Sequence, residues 1–312
     1  MARVQMKAAD FRSSVVAVPP IAMTEGLDVA DAPNATLVGH IERGGVDILL
    51  YGGNANLYNF DLGRYADALA MMDRVAAPAT RVITSVGPDF GKITDQLPLV
   101  ERSNIRNVML LPMAFPSDTH GVMVGVRRVA ERLGFGVILY VKRDGYVNPG
   151  TLAKLVAEGA VAFVKYAVER PDPADDPYLD AILAAVGPEN VASGMGETPI
   201  VDHVGRRGLA TFTSGAVCIV PALSQRLLAL LRAGRLDEAA ALAEPFLAFE
   251  RVRARLGGIQ VMHDAVSLVG LAATGPLLPM ISSVKAQYRD EVRAAAEALL
   301  AADRRFAGSE AA

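Results

Sequence analysis

Val161-Ala162-Phe163-Val164-Lys165-Tyr166-Ala167-Val168, bounded by Gly159 and Pro171, is the stretch on which the fold turns. It is apolar, rich in β-branched residues and too short for a helix, so it reads as a strand buried on both faces of a parallel sheet. Working outward from its strand-like run, Val161 to Tyr166, similar runs recur at Ser14 to Val18, Val46 to Tyr51, Arg81 to Val86, Asn107 to Leu111, Gly136 to Val141, Asn190 to Ala192 and Ala210 to Thr213. Between them, segments such as Tyr65 to Ala76, Val122 to Leu133 and Pro149 to Ala157 place apolar residues at helical spacing. Eight strand–helix repeats in about 220 residues predict an α/β chain folded as a (β/α)8 TIM barrel. A doubly wound open sheet is the rival, but no Gly-x-Gly-x-x-Gly follows any strand.

Past residue 222 the pattern becomes purely helical: Leu223 to Arg232, Leu236 to Leu256, Ile259 to Ala272 and Ser283 to Ala302. Gly234, Gly257-Gly258 and Thr274-Gly275-Pro276 separate these segments. The expected organisation is a barrel over residues 1–222 that carries the active site. A C-terminal helical appendage over 223–312 packs on the barrel flank or on a partner subunit, and Ala307 to Ala312 forms a frayed tail.

Composition narrows the function. The 312 residues are 52% apolar with a mean hydropathy of +0.28, enough for one large core. A net charge of −3 and a pI near 5.9 argue against a nucleic-acid partner. Cys218 is the single cysteine, which excludes an intrachain disulfide and a cysteine-rich metal site; its apolar neighbours mark it as a packed thiol. No signal peptide and no long uncharged apolar window are visible, so the expectation is a cytoplasmic protein without a membrane span. His40, His120, His203 and His263 lack ligand spacing, and neither a phosphate loop nor a Gly-x-Ser-x-Gly elbow is present. No metal or cofactor is expected.

Lys165 is the residue with chemistry to offer. An ammonium is costly to bury, so a lysine in such a strand finds a carboxylate or gives up its proton. A neutral amine in an apolar pocket attacks ketones to form a Schiff base; the alternative is a lysine that snorkels to water or pairs with Glu169. Barrel reactive groups gather at the C-terminal strand ends. Tyr140 ends the fifth strand and is placed to relay protons, or packs as an ordinary aromatic. The turn Gly52-Gly53-Asn54 offers backbone N–H groups of Gly53 and Asn54 to a carboxylate, or is a plain turn. Arg143, with Lys142 beside it, is placed to meet an anionic substrate tail, or lies in a solvated loop. Thr213 and Glu197 are further rim positions for distal substrate contacts.

These residues resemble the dihydrodipicolinate synthase / N-acetylneuraminate lyase family of class I aldolases, over roughly residues 12 to 285. Gly44 to Asn56 is similar to the strand and turn of the family's Gly-Thr-Thr-Gly-Glu motif. Val137 to Tyr140 is similar to the strand bearing its catalytic tyrosine, Phe163 to Ala167 to the segment with the Schiff-base lysine, and Ser193 to Glu197 to its Ser-Gly-Asp-Asp. The resemblance implies a barrel with helical appendage, a homo-oligomer (dimer or tetramer), and a Schiff-base lyase. Lys165 and Tyr140 would act on pyruvate or a 2-keto-3-deoxy sugar acid, as aldolase or dehydratase. Departures from the pattern are clear. The turn Gly52 to Asn56 has lost both threonine hydroxyls, Met113-Ala114 replaces paired tyrosines, and the loop from Tyr140 to Lys165 is about three residues short of the family's usual length, with Arg143 standing in for the distal arginine. A non-catalytic 2-oxo acid binding barrel, and a 4-hydroxy-tetrahydrodipicolinate synthase, stand as alternatives.

Overall fold

The computed structural model describes residues 2–310 and contains a closed barrel of eight parallel strands. The strands are β1 (Val16–Ala17), β2 (Ile48–Leu50), β3 (Arg81–Val86), β4 (Val108–Leu110), β5 (Val137–Val141), β6 (Val161–Tyr166), β7 (Val191–Ser193) and β8 (Thr211–Ser214). Sequence neighbours pair in order and β8 closes onto β1, with Val16 opposite Thr213. The predicted spans of β3 and β6 are reproduced to the residue; the others are trimmed or shifted by one or two. The (β/α)8 barrel read from the sequence is the fold.

Alternation explains why these strands are apolar on both sides. Ile48, Leu50, Ile83, Met109, Ile138, Tyr140, Phe163 and Ala192 pack together inside the barrel. Their sequence neighbours, such as Leu49, Val82, Val108, Leu139, Val164 and Val191, pack outward against the helices. The helices are α1 (Asp31–Arg43), α2 (Leu62–Val75), α3 (Phe90–Arg102), α4 (Thr119–Leu133), α5 (Pro149–Ala157) and α6 (Pro177–Val186), one after each of the first six strands. From α2 to α6 each opens on an Asp or Asn cap: Asp61, Asp89, Asp118, Asn148 and Asp176. Each cap satisfies an otherwise orphaned amide, worth about 1 kcal/mol. After β7 only a π-helical turn, Val201–Arg206, stands in place of a helix.

The N-terminal segment closes the bottom of the barrel. Phe11, on the 3-10 turn Ala8–Arg12, stacks on Phe163 with ring centroids 3.6 Å apart and planes 2° from parallel. Lys165 lies two positions further along the same inner face, so the interior is packed shut beneath it.

Beyond β8 come α7 (Pro221–Arg232), which packs against α1 and the π-helical turn, then α8 (Leu236–Leu256), α9 (Gly258–Leu268) and α10 (Arg289–Glu310). The loop after α9 returns to the C-terminal face of the barrel. A Cβ at Gly275, whose φ is +69°, would lie 2.0 Å from the Met23 carbonyl oxygen, so only glycine fits that approach. The predicted frayed tail is instead helical through Glu310, while Ala311 and Ala312 lie outside the described residues. The last helix starts at Arg289 rather than Ser283, after the short turn Ala286–Tyr288. No helix among the described residues is long and apolar enough to cross a membrane.

Candidate active site

Lys165 points into the barrel at the C-terminal end of β6, only 6% exposed. It stands opposite Tyr140 in the β5–β6 ladder, with Nζ 3.6 Å above the centroid of the Tyr140 ring. A glycine on the next strand makes room for its stem: a Cβ at Gly194 would come within 3.1 Å of Lys165 Cγ and 2.8 Å of the Tyr166 carbonyl oxygen. Among the described residues no carboxylate pairs with Lys165. Asp144 and Asp176, in the loops after β5 and β6, are held by Arg170. Asp176 accepts from Arg170 at 2.9 Å and also from the Tyr166 hydroxyl at 2.8 Å. Burial, with the charge of Lys142 adding to it, lowers the amine from 10.5 to about 7. Near neutral pH, about half of such amines carry a free lone pair.

Tyr140 is buried beside that amine. Burial pushes its phenol upward, and Lys142 opposes the shift. A second phenol, Tyr58 from the turn after β2, approaches it, and Tyr146, from the loop after β5, approaches Tyr58. Burial and its neighbours Tyr140 and Tyr146 push the Tyr58 phenol upward as well.

The turn after β2 is tight. A Cβ at Gly52 would sit 2.9 Å from Met109 Cε, and Asn56 adopts the left-handed region at φ 56°. Asn56 N–H donates to the Gly53 carbonyl at 3.0 Å, and no hydrogen bond among the described residues engages the amides of Gly53 and Asn54. The Asn54 side chain pins the turn in place. Its Nδ2 donates to the Val18 carbonyl at 2.9 Å, and its Oδ1 accepts from Arg253 at 3.3 Å. Arg253 comes from α8, so the C-terminal helices reach the barrel mouth.

The remaining sequence candidates lie in different surroundings. Glu197 is fully buried; Oε1 accepts from the Ser214 hydroxyl at 2.5 Å and Oε2 has no partner among the described residues. Burial and the neighbouring Glu250 raise it to about 8, so it holds a proton at neutral pH. Glu250 itself pairs with Arg253 at 2.5 Å. Thr213 is buried on β8, where its carbonyl accepts from Gly196 at 3.2 Å. Arg143 lies over the Tyr146 ring, 5.3 Å from its centroid, and donates to Ser117 at 3.3 Å. Three of the four histidines are structural: His40 meets the Ile219 carbonyl, His203 the Ser193 hydroxyl, and His263 the Gly275 carbonyl, while His120 is exposed. Cys218 is buried in the outer core with its thiol pushed upward, an inert packing residue.

Sequence reasoning misses Tyr58 and Arg253 and names Lys142 only as the neighbour of Arg143. Two-residue periodicity beyond Tyr140 was a usable signal for Lys142. For Arg253, 199 positions from Asn54, there was none.

No family model matches the chain. A probable 5-dehydro-4-deoxyglucarate dehydratase of Rhizobium meliloti (strain 1021) is 25% identical over 223 residues, 70% of this chain and 72% of that protein. Among solved structures, a wild-type sialic acid aldolase of Ruminococcus gnavus superposes with a TM-score of 0.82 at 14% identity, covering 95% of this chain and 99% of that one. The dihydrodipicolinate synthase of Bacillus clausii superposes with a TM-score of 0.79 at 18% identity, covering 94% and 98%. The chain has the barrel fold of the dihydrodipicolinate synthases and sialic acid aldolases. A prophage protein from E. coli K12, solved in complex with pyruvate and described as belonging to the dihydrodipicolinic acid synthase family, shares this synthase-type barrel at a TM-score of 0.76 and 16% identity, covering 92% and 98%. The resemblance read from Gly44–Asn56, Val137–Tyr140 and Phe163–Ala167 therefore extends to the whole synthase-type fold, C-terminal helices included.

Proposed function

We propose that the chain is a Schiff-base-forming lyase acting on a 2-oxo acid, with Lys165 as nucleophile and Tyr140 as proton carrier. The observation that carries this reading is an unpaired amine, lowered to about 7, held 3.6 Å above a tyrosine ring at the C-terminal end of a barrel.

The neutral Lys165 amine adds to the keto carbon while the Tyr140 phenol protonates the keto oxygen. Loss of water leaves a protonated imine. That cation accepts the electron pair released when a bond at the neighbouring carbon breaks, so an enamine forms in place of an unstabilised carbanion. Tyr140, now a phenolate, takes up the proton that the reaction liberates. The free amides of Gly53 and Asn54 hold the substrate carboxylate, and Asn54 keeps their turn rigid through Val18 and Arg253. Thr213, on the inner face of β8, is assigned to the distal wall, whereas Arg143 is turned toward Tyr146 and Ser117 and Glu197 is held by Ser214. No metal or cofactor takes part in this scheme.

Elimination of water is favoured over carbon–carbon cleavage, because the relative of 25% identity carries a dehydratase name. The substrate class that follows is a 2-keto-3-deoxy sugar acid. The barrel, up to residue 222, carries the reactive groups, while the helices beyond it brace the mouth through Arg253. We further assign the protein to the cytoplasm as a homo-oligomer. The test is turnover across a panel of 2-keto-3-deoxy aldonic and aldaric acids, followed by product analysis. Loss of a hydroxyl as water or release of pyruvate supports the lyase. Binding without conversion anywhere in the panel overturns it in favour of a 2-oxo acid binding barrel.

A further inference from the structure

We propose that Lys142 is a positioning residue whose charge, held at the rim above Lys165 and Tyr140, keeps the amine neutral and readies the phenol to release its proton. The catalytic consequence rests on the lyase reading; the electrostatic effect does not.

The placement follows from strand geometry. Ile138 and Tyr140 pack in the barrel interior, whereas Val137, Leu139 and Val141 pack outward. The ladder continues past the end of β5, because Ala167 N–H donates to the Val141 carbonyl at 2.8 Å. Two-residue alternation therefore puts Lys142 on the inner face, one step above Tyr140. Arg143 falls on the other side, where it meets Tyr146 and Ser117. Lys142 is exposed and pairs with no carboxylate among the described residues, so its charge is not cancelled.

The other groups that face the pair are few. Tyr58 approaches Tyr140 from the turn after β2, with Tyr146 behind it; Glu169 lies beyond the end of β6 and acts on Tyr140. The inner positions Val18, Leu50, Ser85, Met109, Leu111, Ala192 and Thr213 on the remaining strands carry nothing that titrates near neutral pH. Among the described residues, Lys142 is thus the one cation that acts on both groups. A like charge disfavours protonation of Lys165 and an opposite charge favours the Tyr140 phenolate. The directions agree: Lys142 follows burial as the influence lowering Lys165, and it is the foremost influence opposing burial at Tyr140. Imine chemistry needs an uncharged amine next to a phenol able to cycle its proton, and one ammonium biases both groups toward those states.

The test measures Lys165 without any substrate. The intact protein is labelled with fluorodinitrobenzene across a pH series, and mass mapping of the Lys165 peptide gives the midpoint for reaction of the free amine. The wild-type midpoint is expected near the value of about 7 set by the site. Lys142→Met and Lys142→Gln should both raise it, and Lys142→Arg should leave it in place. A rise of one pH unit lowers labelling at pH 7 about fivefold. Added salt should move the wild type toward Lys142→Met, since an exposed charge is screened. An unmoved midpoint in both neutral variants overturns the proposal. Loss of turnover in those variants with that midpoint unmoved does so too, because it makes Lys142 a substrate contact. A shifted midpoint in a protein that converts no 2-oxo acid supports the proposal and sinks the lyase reading instead.

Discussion

Replacing Lys165 with methionine should make the protein more stable while removing its chemistry. Methionine matches the buried stem of lysine in length and carries no charge, so the inner packing with Tyr140 and Gly194 is kept. The gain comes from proton linkage. In the unfolded chain this lysine binds its proton at any pH below its ordinary 10.5; in the fold it does so only below about 7. Between those values the unfolded state holds the extra proton, so wild-type stability rises with pH across that window. The span corresponds to a penalty of roughly 4 kcal/mol at pH 7, falling to roughly 2 kcal/mol at pH 9. Lys165→Met escapes it. Thermal melts of the two proteins at pH 7 should differ by roughly 8 °C in favour of the variant, and by about half of that at pH 9. Common titrations cancel in the difference, which isolates Lys165. A variant that melts at or below the wild type, or an advantage that does not shrink with pH, would refute the picture of a desolvated, unpaired amine.

Tyr140→Phe should keep the fold and slow imine formation about 10²- to 10⁴-fold, read by stopped-flow absorbance or by the rate of borohydride trapping. An unchanged rate would remove Tyr140 from the proton path. Glu197→Gln should match the wild type at pH 5 and exceed its stability at pH 8. Glu197 is raised from 4.5 to about 8, so its stabilising proton is fully present below 4.5 and is lost as pH rises through 8. Denaturant midpoints at the two pH values decide it, and a variant destabilised at both would show Glu197 to be ionised.

The barrel was legible because its strands announce themselves twice. Val161 to Tyr166 is apolar on both faces, which suits only a strand with packed side chains inside and helices outside. The Asp and Asn caps and glycine turns then punctuate the repeats. Lys165 was legible for the same reason: a charge in the middle of such a run has no ordinary place. What escaped is what depends on distance in space. Arg253 reaches Asn54 from α8, and Glu250 meets Glu197 across the same gap. Neither pairing leaves a periodic trace in the chain. Of the basic pair after Tyr140, residue type favours Arg143 as the substrate contact, yet strand alternation turns Lys142 inward and Arg143 toward Tyr146. The π-helical turn Val201–Arg206 was also invisible, since six residues are too few to carry a helical pattern.

The measurement that bears most directly on the central claim is reductive trapping. The protein is incubated with pyruvate and borohydride at pH 7, digested, and mapped by mass spectrometry. A reduced pyruvate adduct on Lys165, absent from Lys165→Met, is the expected result. An unmodified Lys165, or an adduct carried equally by the variant at another lysine, would contradict it.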